Sequence, residues 1–191
     1  MKKHFFDIGA NEGNTFDLFL NGSDKYKNWN VWCFEPSAKH FASLLNAATR
    51  NSDKFKIIVC PFGLGGKTEI LQFHEMVNNT VSDSLFTDVG GTINPNPKYK
   101  LVCSIISITE FMENNTSPED EVVLKVDCEG AEYEIYEDLL NKPELLNRIT
   151  TIYNEWHPGW PMDFDPVRKN RADQIISRLS EHGKTLTDWA F

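Results

Sequence analysis

Short apolar runs alternate with amphipathic segments along the first third of the chain. The run from His4 to Ile8 predicts a buried strand. It feeds Gly9-Ala10-Asn11-Glu12-Gly13-Asn14-Thr15, two glycines four apart followed by polar residues that open a helix. The glycines let the backbone turn tightly and be approached by a ligand, and the helix points its unpaired N–H groups at the same space. Phe16, Phe19 and Leu20 make a short apolar stripe that stops at Gly22. Residues 30–34 read as a second buried strand ending in Glu35-Pro36, which leaves Glu35 at the strand tip. Ala38, Phe41, Leu45 and Ala48 then recur at helical spacing, with Lys39, Asn46 and Arg50 off that face. Residues 56–60 are a third strand, closed by Pro61 and Gly63. This β-α-β-α-β order predicts a doubly wound, mostly parallel sheet with helices on both faces.

The rhythm then changes. Gly65 to Thr68 is a turn, residues 69–74 alternate as a hairpin arm, and 75–100 read as a long irregular insertion rich in Asn, Gly and Pro. Leu101 to Ile106 is strand-like, and Ser107 to Phe111 opens a short helix. Glu121 to Asp127 is a strong buried strand, followed by Cys128-Glu129-Gly130-Ala131-Glu132 and a helix with Ile135, Leu139 and Leu140 inward. Ile149 to Glu155 is another strand, running into an aromatic, proline-stiffened loop from Trp156 to Met162. Ile175, Ile176 and Leu179 mark a last helix capped by Gly183, and Lys184 to Phe191 reads as an edge strand. No repeat or linker divides the chain, so a single domain over 1–191 is expected.

Composition narrows the function classes. The 191 residues are 40% hydrophobic and 25% charged, as in a globular domain. A net charge of −9 disfavours a nucleic-acid backbone or an anionic membrane as the main partner. No apolar run approaches the roughly 20 residues that span a bilayer, and the start lacks the pattern of a secretory leader. A cytoplasmic protein is expected. Cys33, Cys60, Cys103 and Cys128 are widely spread without a C-x-x-C pair, and read as reduced thiols rather than disulfides or metal ligands.

Three acids recur at strand ends: Asp7, Glu35 and Asp127. In an open α/β sheet these ends line the ligand crevice. Glu35 follows Gly13 by 22 residues, near the spacing at which a carboxylate meets a ribose hydroxyl pair; the alternative is that it caps the next helix. A pyrophosphate cradle wants G-x-G-x-x-G, whereas this loop is Gly9-x-x-x-Gly13 with Asp7 and Glu12 nearby. Two acids repel a pyrophosphate and suit a cationic ligand such as S-adenosylmethionine, which places an NAD-linked dehydrogenase behind.

Asp7-Ile8-Gly9-Ala10-Asn11-Glu12-Gly13 with Phe34-Glu35-Pro36 resembles a class I S-adenosylmethionine-dependent methyltransferase. With residues 124–132 and the strand end Asn154-Glu155-Trp156-His157, the chain resembles the FkbM-type methyltransferase family over about residues 4–157. The resemblance implies a Rossmann-like sheet of seven strands with an antiparallel last strand, and methyl transfer to a hydroxyl of a sugar or small metabolite. Carried over from that resemblance, Asp7, Gly9, Asn11 and Gly13 would wrap the methionine end of the cofactor, and Glu35 would hold its ribose. The resemblance likewise implies that Ser37 and the Phe62-Gly63-Leu64 turn flank the adenine and that Asp127 faces the reactive end. Two departures stand out. Many relatives carry an extension before the first strand, so here residues 75–100 and 156–164, or a partner, roof the acceptor pocket. Cys60-Pro61-Phe62 also replaces the more usual small apolar run at the adenine wall.

Methyl transfer to a hydroxyl needs a proton acceptor. The candidates are His157, Glu155 and Asp127. Lys125 shares a strand face with Asp127 and can hold a carboxylate ionised. His157 is the best base on intrinsic pKa, against a packed loop histidine as the alternative. Glu129 and Glu132 either start a helix or take part in chemistry. Asp127, Glu129 and Glu155 could take a divalent ion, but their spacing is not diagnostic, and no metal is assigned. Trp156, Trp160 and Phe164 read as an acceptor lip that stacks on a sugar or aromatic acceptor, with closure of the core as the alternative. A non-catalytic cofactor-binding partner subunit is the alternative from another class. A small-molecule or carbohydrate acceptor is the expected partner, and a homo-oligomer stays open.

Overall fold

Six parallel strands form the central sheet of the computed structural model, which describes residues 1–74, 101–157 and 166–189. The expected insertion at 75–100, and Trp160 and Phe164 of the expected lip, lie outside those residues. In chain order the first elements are β1 (Lys3–Ile8), α1 (Asn14–Leu18), two short 3-10 turns, β2 (Asn30–Phe34), α2 (Ala38–Asn51) and β3 (Lys56–Cys60). Next come β4 (Gly63–Gly65), β5 (Glu69–Phe73), β6 (Leu101–Ser107), α3 (Ile108–Asn115), β7 (Glu121–Val126) and α4 (Glu132–Leu140). The chain closes with α5 (Pro143–Leu146), β8 (Ile149–Asn154), α6 (Pro166–Glu181) and β9 (Leu186–Asp188).

The sheet order is β3-β2-β1-β7-β8-β9, so the winding direction reverses between β1 and β7. Both strands are buried on two faces, which their near-continuous apolar sequences require. Phe6, Ile8, Leu124 and Val126 pack on one side with Tyr133, Tyr136 and Leu139 of α4. Phe5, Val31, Cys33 and Val123 pack on the other with Phe16 of α1 and Leu44 of α2. This is the expected Rossmann-like α/β architecture.

Several details correct the expectation. Among the described residues the central sheet has six strands rather than seven, and β9 runs parallel to β8, with Leu186 opposite Ile152 and Asp188 opposite Asn154. The 16-residue helix α6 explains this: a helix returns the chain to the edge it left, whereas an antiparallel neighbour follows from a hairpin. Residues 63–65, read as a turn, form β4, which pairs parallel with β6, while β5 pairs antiparallel with β6. Helix α2 buries His40, Leu44, Ala47, Ala48 and Asn51, while Leu45 is exposed. Its inward face is therefore rotated from the one that the apolar spacing suggested. Asn51 belongs inside because its side-chain amide donates to the Ala47 carbonyl at 2.9 Å. Helix α3 opens as its sequence dictates, with the Ser107 hydroxyl accepting from the Glu110 N–H at 3.2 Å. The four cysteines are unpaired thiols.

Candidate active site

A cavity of about 400 Å³ opens at the carboxyl ends of the strands, where the winding direction reverses. An open α/β sheet places its ligands in this crevice. The loop after β1 forms one wall. Gly9 has φ +79°, and a Cβ there would lie 1.8 Å from the Asp127 carbonyl oxygen. The loop thus lies directly against the end of β7, a position only glycine can occupy. Asn11 also adopts a left-handed φ of 49°, and its N–H donates to Glu35 Oε2 at 2.8 Å.

Glu35 is 6% exposed and lines the cavity. Its Oε1 accepts from the Ser37 N–H at 2.7 Å and its Oε2 from Asn11, so one carboxylate ties the β1 loop to the start of α2. Burial pushes its pKa up, against the opposing pull of those two N–H groups and of His40 and Lys125. Each oxygen keeps a second lone pair for a ligand hydroxyl. The capping and ligand-binding readings of Glu35 are thus compatible.

Gly9, Asn11, Glu35, Gly63, Lys125, Asp127 and Glu155 all line the cavity. Four other residues expected around the cofactor do not. Asp7 is fully buried beneath the loop, 3.2 Å from the Lys125 ammonium. Gly13 serves packing, since a Cβ there would meet the Ala47 methyl at 2.6 Å. Ser37 contributes its backbone N–H to Glu35 and caps α2. Phe62 packs into an aromatic group with Phe34 and Phe111, at ring distances of 5.9 and 6.2 Å. Of the residues expected to flank the adenine, Gly63 and Leu64 line the space, and Pro36 and His40 join them. Trp156 packs on Tyr133 and Tyr136 at 5.0 and 5.5 Å. It is half-buried and packs against the core.

Lys125 is buried and spans the floor. Its ammonium lies 3.2 Å from Asp7, 3.1 Å from Asp127 Oδ2, and donates to the Gly9 carbonyl at 2.8 Å. Burial alone would lower its pKa, but the two carboxylates outweigh that and raise it. Beside it stands His157. Its Nδ1 is 2.9 Å from Glu132 Oε1, and its Nε2 is 3.5 Å from Glu129, 3.8 Å from Glu155 and 3.9 Å from Asp127. Burial opposes protonation here, yet the Glu132 hydrogen bond and the surrounding carboxylates raise the pKa to about 9. The surrounding carboxylates thereby favour the charged imidazole at neutral pH. Glu155 has its pKa raised by burial and by neighbouring Asp127.

Sequence reasoning missed His40 and Trp189 as cavity residues. His40 sits on the unexpected face of α2. Trp189 arrives through the parallel β9, its N–H donating to the Asn154 carbonyl at 2.9 Å, and its ring stands 5.7 Å from the Lys125 ammonium. No local pattern marks it.

The family model described as methyltransferase FkbM domain matches residues 7–186. The chain belongs to that family. It is accordingly a methyltransferase by domain. No curated protein and no solved structure gives a significant match. No helix among the described residues is long and apolar enough to cross a membrane.

Proposed function

We propose that the chain binds S-adenosylmethionine in this cavity and methylates a hydroxyl of a sugar or small metabolite. The observation that carries the reading is Glu35, a buried carboxylate at the β2 tip that faces the cavity and is locked by two backbone N–H groups. Its geometry suits a ribose hydroxyl pair. The walls add Asp127, Glu129 and Glu155, against Lys125, whose charge is shared by Asp7 and Asp127. This balance favours a cationic ligand over a pyrophosphate. The volume falls within the roughly 300–1,000 Å³ typical of small-molecule sites.

When bound, S-adenosylmethionine supplies an electrophilic methyl on a sulfonium. The protein's share is positioning and proton removal. The Gly9–Asn11 backbone and Glu35 hold the ligand, and Lys125 fixes Asp127 at the end nearest the acceptor. Holding two reactants in attack geometry contributes up to about 7–11 kcal/mol. Glu155 lines the cavity and is the proton acceptor for the acceptor hydroxyl, a role that adds about 10²–10⁴-fold. His157, charged by its neighbours, offsets the repulsion among those carboxylates.

Calorimetric titration of the chain with S-adenosylmethionine, S-adenosylhomocysteine and NAD tests the cofactor. Micromolar binding of the two sulfur ligands with none of NAD is expected. NAD binding alone would support a dehydrogenase instead, and binding without turnover of any hydroxyl acceptor would support a non-catalytic subunit.

A further inference from the structure

We propose that Asp127, Glu129 and His157 form a site for one divalent first-row metal ion at the wall of the cavity. The site stands on its own geometry and does not depend on which cofactor the cavity takes. One ligand atom from each residue lies within 4.8 Å of the others. His157 Nε2 is 3.5 Å from Glu129 Oε2 and 3.9 Å from Asp127 Oδ1. These separations exceed the roughly 2.7–3.2 Å of a hydrogen bond. They lie slightly above the about 3.0 Å between neighbouring ligands of an octahedral ion with bonds of about 2.1 Å. A small inward shift of the three side chains therefore closes them on an ion.

The orientation of each group fits that use. Asp127 directs Oδ2 to Lys125 at 3.1 Å and turns Oδ1 toward His157. Glu132 stands behind the imidazole with no exposure and takes Nδ1 at 2.9 Å, which directs Nε2 at the carboxylates. Metal-ligating histidines are held from behind in this way. The same Glu132 oxygen also accepts from the N–H groups of Cys128 and Gly130, so the loop that carries Glu129 is fixed to the histidine's support.

A second observation points to a cation here. Glu132 Oε2 is fully buried and has no hydrogen-bond partner among the described residues. A desolvated carboxylate oxygen without a partner is costly unless positive charge stands nearby. His157 Nε2 faces Asp127, Glu129 and Glu155, and an ion bound there would take the place of the Nε2 proton, which leaves to solvent. A divalent ion offsets the remaining negative charge where it is densest. One imidazole with carboxylates is a donor set for Mn²⁺, Fe²⁺ or Zn²⁺, not for thiophilic ions. Asp127, Glu129 and Glu155 also line the cavity, so the ion would stand at the wall where an acceptor enters.

Titration of the full chain with Mn²⁺, followed by the electron paramagnetic resonance of free Mn²⁺ and by calorimetry, tests the site. One equivalent should bind with micromolar affinity. His157→Ala and Glu129→Gln should each weaken it at least tenfold, while Glu137→Gln, a partner of Arg171 on α4, should leave it unchanged. Thermal melts confirm that each variant is folded. Absence of saturable binding to the wild type, or binding that neither His157→Ala nor Glu129→Gln alters, overturns the proposal. Because no cofactor is added, failure of S-adenosylmethionine binding leaves this result untouched.

Discussion

Asp7 and Lys125 face each other across the parallel strands β1 and β7, with 3.2 Å between carboxylate and ammonium and side-chain exposures of 1% and 3%. The same ammonium reaches Asp127 and the Gly9 carbonyl. One buried cation thus ties the glycine loop, the strand beneath it and the carboxylate above it into a rigid floor. Removing it strands Asp7 without a partner in the core. Lys125→Met should cost about 3–5 kcal/mol, the usual penalty for breaking a buried pair from one side. Urea denaturation measures this, and the double variant Lys125→Met with Asp7→Asn should recover part of the loss.

The glycine loop is equally unforgiving at one position. Gly9→Ala places a methyl 1.8 Å from the Asp127 carbonyl and forces an L side chain to φ +79°. It should lower the melting temperature clearly and abolish ligand binding. Gly22→Ala is the control, since a Cβ at that position meets nothing within 4 Å and the melt should barely move. Equal effects from both substitutions would contradict the account of the loop.

At the opposite end of the sheet, Trp32 Nε1 donates to His4 Nδ1 at 3.0 Å, and Asp120 lies 3.5 Å from Nε2. Burial lowers the pKa of His4, aided by Lys2 and opposed by Asp120. The unfolded chain therefore takes up this proton at higher pH than the folded one. Stability attached to His4 is full above about pH 6.5 and falls as the pH drops below that value toward the folded pKa. Asp120 acts in the same sense lower down. Burial pushes it up, but the N–H groups of Lys2 and Ser117 with His4 outweigh burial and hold it below its usual value. Urea midpoints at pH 7 and pH 5.5 should differ in the wild type, and His4→Gln should flatten that difference.

Much of the fold was legible locally. The bounds of β2 and β3 follow from apolar runs that stop near Pro36 and Pro61, and the acids Glu35 and Asp127 fall at strand tips because the runs end there. The Lys125 and Asp127 pairing follows from alternation along the strand. What stayed hidden is non-local. The parallel β9 that delivers Trp189, the β4–β6 pairing, and the convergence of Glu129, Glu132 and Glu155 on His157 depend on how distant segments meet. The last point changed a role. Histidine's intrinsic pKa suggested a base, and in the fold Glu132, Glu129 and Asp127 raise that pKa and favour the charged ring.

The proposed mechanism assigns proton removal to Glu155. Glu155→Gln should lower turnover of a hydroxyl acceptor by about 10²–10⁴-fold while leaving S-adenosylhomocysteine binding within a few-fold of wild type. Initial rates and calorimetry on the same preparation separate the two. A Gln variant with full turnover would remove Glu155 from the chemistry.

The most direct measurement is calorimetric titration of S-adenosylhomocysteine into the wild type and Glu35→Gln, with melting curves to show both are folded. The account predicts micromolar binding to the wild type, weakened at least tenfold by the substitution. No binding to the wild type, or unchanged binding to the folded variant, would contradict it.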